Sequence, residues 1–355
     1  MREAMLYQKL PHMRVRCSLC AHRCAIADGK KGVCHVRKNE EGSLYTMVYD
    51  STIIQHIDPV EKKPLLHFHP ASTAYSIATP GCNFQCRWCQ NWDISQVTSE
   101  QDLTTGFDAD PEQVVTAALD AGCRSIAYTY TEPTVFFEYT YETAKLAHAA
   151  GLANIYVTNG YMTPEMLEAI HPYLDAANVD LKAFREKTYR RYVGARLQPV
   201  LESLKRMKAF GIWLEVTTLV IRGINDDDAE LEDAAQFVLQ ELGPATPWHI
   251  SRFFPAYKMQ DVPPTPTKTL RRAEEIGLDS GLRYVYCGNI PGEMNSFCHS
   301  CGRLLIRRSG FQVEENNVIS PNRCPDCGAP VAGVGMDANI NQRRDEERTA
   351  REEDI

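Results

Sequence analysis

Between about residue 73 and residue 290, short β-rich apolar runs alternate with longer amphipathic stretches, the signature of strands laid parallel and joined by helices. Strands are predicted at 74–78, 125–129, 153–158, 176–181, 213–220 and 248–251, and helices between them at 111–122, 164–170, 199–210 and 227–242, among others. Six such units in this length predict an α/β fold, a partial (β/α)6 TIM-like barrel; a flat doubly wound sheet shares the same periodicity and is the alternative. In either architecture the reactive groups belong to the loops after the C-terminal ends of the strands. The expected division is a cysteine-rich region with a lead-in at 1–72, the barrel core at 73–292, a second cysteine-rich segment at 293–335 and a charged, disordered tail at 336–355, where QRRDEERTAREEDI has no apolar face.

Composition narrows the class. At 355 residues and 44% hydrophobic, the chain can bury one large core with small satellites. A net charge of -8 argues against nucleic acid as the main partner, since phosphate contacts need clustered Lys and Arg. The first residues lack the apolar core of a signal peptide, and no run of about 18 apolar residues follows, so a soluble cytoplasmic protein with no membrane span is expected. The thirteen cysteines change the picture most. They cluster as Cys17, Cys20, Cys24, Cys34; Cys82, Cys86, Cys89; and Cys298, Cys301, Cys324, Cys327, which reads as three metal sites, while Cys123 and Cys287 stand alone as small buried hydrophobes.

The central set lies in TPGCNFQCRWCQN, directly after the predicted strand 74–78. Three thiolates hold three irons of a cubane and leave the fourth open to a ligand that chelates through an amine and a carboxylate. Zinc fits poorly, because the loop offers no fourth cysteine or histidine.

CNFQCRWC resembles the signature of the radical S-adenosylmethionine (SAM) superfamily. Together with DPVEKKPLLHFHP (58–70), it further resembles the radical SAM member of the AmmeMemoRadiSam group, related to pyruvate formate-lyase activating enzyme. The resemblance implies a 4Fe-4S cluster on Cys82, Cys86 and Cys89, and SAM as cofactor. It carries Thr131 and Glu132 over to a turn that usually reads Gly-Gly-Glu-Pro, with Glu132 receiving the SAM amino group; Tyr130 and Thr131 depart from that pattern, putting close backbone approach in doubt. The alternative is that Glu132 only caps the next helix.

Thr158 and Asn159 suit a ribose or carboxylate, although Asn-Gly is also an ordinary turn pair. Asp180, Leu181 and Lys182 resemble a SAM-pocket segment; an Asp–Lys pair at the barrel rim is the plainer alternative, and either explains charge on a strand expected to be buried. His249 matches a histidine that lines the SAM site in activating enzymes. Glu215 and Thr217 are candidates to point inward, Arg222 and Arg252 lie near the expected mouth, and His67 and His69 either face it or bond within the lead-in.

At the C-terminal end, C-x2-C-x22-C-x2-C with glycine after each pair reads as a structural zinc ribbon, with rubredoxin-like iron or an auxiliary cluster as the alternative. The N-terminal C-x2-C-x3-C-x9-C is less typical. Structural zinc is its first reading and an auxiliary 4Fe-4S cluster its second, with His22 or His35 able to replace a cysteine.

The resemblance implies reductive cleavage of SAM to a 5'-deoxyadenosyl radical that abstracts hydrogen from a small-molecule or lipid substrate, with a flavodoxin or ferredoxin as electron donor and AmmeMemoRadiSam proteins as possible partners. Alternatives are an activating enzyme that installs a glycyl radical on a partner protein, and a non-catalytic metal or electron-transfer module.

Overall fold

The computed structural model describes residues 1–97, 106–290, 292 and 294–337; of the tail expected at 336–355, Met336 is instead fully buried, its N–H donating to Asn322 Oδ1 at 3.0 Å, and residues 338–355 lie outside the described residues. Its centre is an eight-stranded sheet, numbered here along the chain as β1 (Ile54–Pro59), β2 (Thr73–Ala78), β3 (Ser125–Tyr128), β4 (Ala153–Thr158), β5 (Ala176–Asp180), β6 (Trp213–Val220), β7 (Trp248–Arg252) and β8 (Val285–Gly288). Spatial order follows chain order, β1 pairs antiparallel with β2, and all other neighbours are parallel. Edge strands β1 and β8 do not pair with each other, so the barrel is partial. The parallel set has seven strands, one more than the pattern predicts, because VYCG of β8 is too short to announce itself.

Helices α1 (Pro111–Asp120), α2 (Phe137–Ala149), α3 (Pro164–Ile170), α4 (Leu197–Ala209), α5 (Asp228–Phe237) and α6 (Thr267–Asp279) alternate with the parallel strands. Their starts are written locally. Asp110 and Gln113 form a reciprocal capping box ahead of Pro111, while Thr163 and Asp227 cap α3 and α5 by accepting from Met166 N and Glu230 N. Each helix buries one apolar stripe; in α4 it is Leu197, Val200, Leu201, Leu204 and Met207, the spacing of a helix lying on a sheet.

The interior of the barrel is occupied by the chain itself. Between β1 and β2, residues 60–69 run inward, where Leu66 and His67 present their backbone N–H groups to the buried Glu215 carboxylate at 3.0 and 2.8 Å. Glu215 also accepts from Trp213 Nε1 at 3.1 Å and lies 2.6 Å from His249 Nε2. Burial alone would raise this carboxyl, but the hydrogen bond and charge of His249 outweigh it and leave it below the ordinary range. His67 bonds Tyr286 Oη and the Ala332 carbonyl, each at 2.6 Å, and Arg308 donates to the Leu66 carbonyl at 2.7 Å, so the C-terminal segment closes this end.

That segment is a three-stranded antiparallel sheet, Ser296–Phe297, Leu304–Ser309 and Gln312–Asn316. At the other end of the chain, two small three-stranded sheets built from residues 2–46 pack on the barrel through Arg37, whose guanidinium is 2% exposed and donates to both oxygens of Glu138 on α2 at 2.8 and 2.9 Å. Among the described residues no helix is long and apolar enough to cross a membrane.

Two outcomes test this packing. Glu215→Ala leaves the Leu66 and His67 N–H groups and His249 without their acceptor and is expected to cost about 3–5 kcal/mol, read as a lower denaturant midpoint; an unchanged midpoint would show that the carboxylate is dispensable. Burial holds the His67 imidazole down at about 4 against an ordinary 6.5. Between those values the unfolded chain binds the extra proton, so stability falls as pH drops from 6.5 towards 4. His67→Asn should flatten that limb of the melting profile.

Candidate functional site

The C-terminal ends of the strands surround a cavity of about 320 Å³ lined by Cys82, Cys86 and Cys89 together with groups from six strand ends. The cysteine loop hangs from β2 and is pinned from several sides. Gln85 N and Arg87 N donate to the carbonyls of Val193 and Tyr192 at 2.8 and 3.0 Å, and Phe84, fully buried, packs edge-on against Tyr161 and Tyr189. Gly81 has φ of +99°, and a Cβ there would fall 2.5 Å from Val36 Cγ1, so only glycine lets the loop pass under the N-terminal region. Phe84 N–H donates to Cys82 Sγ at 3.3 Å, and Cys89 Sγ lies 3.2 Å from Ser95 Oγ.

This set fits an iron–sulfur cluster. Burial pushes the Cys86 thiol up to about 12 and Cys82 well up, so the thiolates need a bound cation to ionise in place. Trp88 Nε1 is buried with no hydrogen-bond partner and its residue lines the same cavity, an N–H donor of the kind a cluster's sulfur atoms accept from.

Six of the eight residues expected to contact SAM face this cavity: Thr131, Glu132, Thr158, Asn159, Asp180 and Lys182. Glu132 is buried and does two things at once. Its Oε1 accepts from Thr134 N, Thr134 Oγ1 and Thr158 Oγ1 at 3.0, 2.5 and 2.7 Å, which caps the short helix Pro133–Phe136, while Oε2 accepts only Asn159 N at 2.8 Å and keeps a free lone pair. Burial raises its carboxyl against those bonds. Asn159 Nδ2 reaches Asn83 Oδ1 at 2.7 Å, tying β4 to the cysteine loop.

Asp180 and Lys182 form an ion pair at 2.8 Å. Burial would lower the Lys182 ammonium, yet Asp180 and Cys86 together hold it above its ordinary range, which leaves a fixed positive charge beside the cysteines.

The other two lie elsewhere. Leu181 is fully buried and does not line the cavity; its backbone N–H bonds the Thr217 carbonyl at 2.9 Å. His249 corrects the expectation drawn from activating enzymes: it is near the start of β7, and its ring faces Glu215 at the opposite end of the barrel. Glu215 and Thr217 share one face of β6 as alternation requires, but only Thr217, further along, reaches the cavity. Arg222 is exposed, and Arg252 donates to the Thr265 carbonyl. His67 is buried against Tyr286.

Sequence reasoning missed part of the wall. Lys62, Lys63 and Pro64 line the cavity from the inward-running segment, and Asp58 clamps both lysines at 2.7 Å. Tyr130 has φ of +65°, the left-handed conformation that a glycine would adopt without strain, so the backbone passes here despite the larger residue. Its hydroxyl donates to Asp58 at 2.6 Å, Lys63 Nζ sits 4.7 Å from its ring, and its carbonyl accepts from Asn91 at 2.7 Å. The charged run DPVEKK ahead of an apolar strand was the available signal. Ser251 and Asn289 carried none.

The two outer sets differ in geometry. Cys298, Cys301, Cys324 and Cys327 bring their sulfurs within 4.8 Å of one another, the one such group among the described residues. Cys17, Cys20, Cys24 and Cys34 line a small enclosed pocket with Arg37 but do not gather so closely. Neither His22, whose Nε2 lies 2.8 Å from the Asn83 carbonyl, nor the exposed His35 lines that pocket.

The radical SAM superfamily model matches residues 76–237. An uncharacterised protein of Methanocaldococcus jannaschii is 43% identical over 334 residues, covering 93% of this chain and 99% of its own. A GTP 3',8-cyclase of Pelotomaculum thermopropionicum is 23% identical over 65% of this chain and 77% of its own. The Streptococcus suis SuiB structure with S-adenosylmethionine bound superposes with a TM-score of 0.49 at 13% identity, over 65% of this chain and 53% of that one. The chain belongs to the radical SAM superfamily, whose α/β fold it has. Within it, this chain and its M. jannaschii relative match over nearly their whole lengths.

Tyr130→Phe keeps the ring over Lys63 but removes the hydroxyl bond to Asp58. The expected loss is about 1.5–3 kcal/mol by chemical denaturation; no loss would mean that the two lysines satisfy Asp58 alone.

Proposed function

We propose that the protein cleaves SAM reductively and uses the resulting radical to take hydrogen from a small-molecule or lipid substrate. One observation carries the reading: a single cavity is lined by the three cysteines and by Thr131, Glu132, Thr158, Asn159, Asp180 and Lys182. Cys82, Cys86 and Cys89 would hold a 4Fe-4S cluster, which would supply the single electron needed to cleave SAM to methionine and a 5'-deoxyadenosyl radical.

The remaining work belongs to the protein. The free lone pair of Glu132 Oε2 suits an ammonium group, and Thr158 and Asn159 fix that carboxylate so that it needs no reorientation on binding. Lys182 sets a positive charge where a carboxylate and the thiolates would lie, and Asp180 keeps it oriented. The aromatic and aliphatic walls from Phe84, Trp88, Val157 and Leu219 limit water access to a reactive radical. The small-molecule or lipid class is supported by the AmmeMemoRadiSam resemblance of the DPVEKKPLLHFHP segment. A second reading, glycyl-radical activation of a protein, is favoured by 27% identity over 195 residues with a putative glycyl-radical enzyme activating enzyme of M. jannaschii. A one-electron donor of the flavodoxin or ferredoxin type serves either reading.

The C-terminal cysteines take a structural zinc. Sulfur separations of 3.6 Å for Cys298–Cys327 and 3.7 Å for Cys301–Cys324 suit the tetrahedral edge of about 3.8 Å implied by a zinc–sulfur bond of about 2.3 Å.

Anaerobically reconstituted, dithionite-reduced protein should release 5'-deoxyadenosine from SAM, and a Cys82, Cys86, Cys89→Ala triple variant should release none. Failure of cluster-loaded wild type to bind SAM in equilibrium dialysis would sink the proposal. Glu132→Gln should weaken SAM binding by about tenfold, the loss of roughly one charge-assisted hydrogen bond.

A further inference from the structure

The three cysteine sets of this chain sort themselves by the distances between their sulfurs. The C-terminal set is drawn to the spacing of a single tetrahedral ion. In neither of the other two do three sulfurs come within 4.8 Å of one another. That is the expected behaviour of the central loop, because a cubane seats each thiolate on a different iron and holds the sulfurs roughly 6 Å apart. Cys17, Cys20, Cys24 and Cys34 behave as the central set does, and yet they are not scattered: all four line one enclosed pocket. Four thiols that converge without closing to zinc distance frame something larger than one ion.

Arg37 is a second, independent observation. It is 2% exposed and lines the same pocket, and Glu138 takes its two terminal nitrogens. Its Nε–H is buried with no partner. Such an orphan is costly unless an acceptor occupies the pocket. A cluster on four thiolates supplies both acceptor sulfurs and the negative charge that a second face of a guanidinium calls for. With four cysteines and no open position, the site would carry electrons and leave substrate alone.

Its placement supports that role. The N-terminal and central cysteine loops touch back to back: His22 Nε2 lies 2.8 Å from the Asn83 carbonyl, and a Cβ on Gly81 would lie 3.1 Å from the Cys34 carbonyl oxygen. Gly81 adjoins Cys82 in the chain.

We propose that Cys17, Cys20, Cys24 and Cys34 hold a second 4Fe-4S cluster, which receives one electron at a time from a flavodoxin or ferredoxin-type donor and passes it to the centre on Cys82, Cys86 and Cys89. The donor is oxidised by one electron, the N-terminal cluster is reduced and then reoxidised, and no bond or proton changes hands. The site assignment stands without the proposed function; the relay rests on it.

The test is metal and sulfide analysis of anaerobically reconstituted full-length protein beside the Cys82, Cys86, Cys89→Ala triple variant. Wild type should hold about eight irons and eight sulfides with about one zinc, and the triple variant about four of each with a reduced-cluster EPR signal. A triple variant without iron, whether its zinc rises to about two or stays at one, overturns the assignment. Four irons in both proteins would uphold the N-terminal cluster and reject the central one, so the two failures are distinguishable. For the relay, rapid freeze-quench EPR of wild type mixed with reduced flavodoxin should show the signal seen in the triple variant before the second signal appears. The reverse order overturns the relay.

Discussion

A buried carboxylate organises this molecule. Glu215 stands fully buried in the barrel interior, where an unpaired charge would be prohibitive, and its hydrogen bonds therefore dictate what surrounds it. Two backbone N–H groups, an indole and an imidazole converge on it from three separate parts of the chain. By fixing Leu66 and His67 it anchors the inward-running segment, and that segment is the floor on which Lys62, Lys63 and Pro64 face the cavity. Closing one end of the barrel and shaping the site at the other are consequences of the same satisfied charge.

The second constraint is the anchoring of the cysteine loop. A loop that offers three thiols must hold them against the entropy of an irregular segment, and here the anchors come from distant elements: Tyr192 and Val193 through backbone bonds, Tyr161 and Tyr189 through ring packing, Asn159 through its amide. The N-terminal region supplies the last of them at Gly81 and Asn83. Its attachment through the buried Arg37–Glu138 pair thus bears on the geometry of the central site as well as on its own fold.

Departures from a family pattern are informative when the structure absorbs them. Tyr130 occupies a left-handed backbone position usually left to glycine, and the strain is offset by a hydroxyl bond to Asp58, a ring contact with Lys63 and a carbonyl bond to Asn91. The side chain that made close approach doubtful instead becomes part of the wall and locks the lysine pair in place.

The primary structure by itself determined the βα alternation, the strand ends that carry Thr158 and Asp180, and the three cysteine groups, because periodicity and ligand spacing are local properties of the chain. The register of parallel neighbours then set Thr158 beside Val179 and Asp180 beside Thr217, so residues chosen one strand at a time came together at one mouth. Height along a barrel strand is not local. Glu215 and Thr217 are indistinguishable by alternation, and only the tertiary structure placed one in the core and the other at the cavity; the same applies to His249, drawn to a buried carboxylate on the adjacent strand. Sulfur-to-sulfur distance is likewise set by how separate loops pack, which is why spacing alone left the N-terminal cysteines open between a single ion and a cluster.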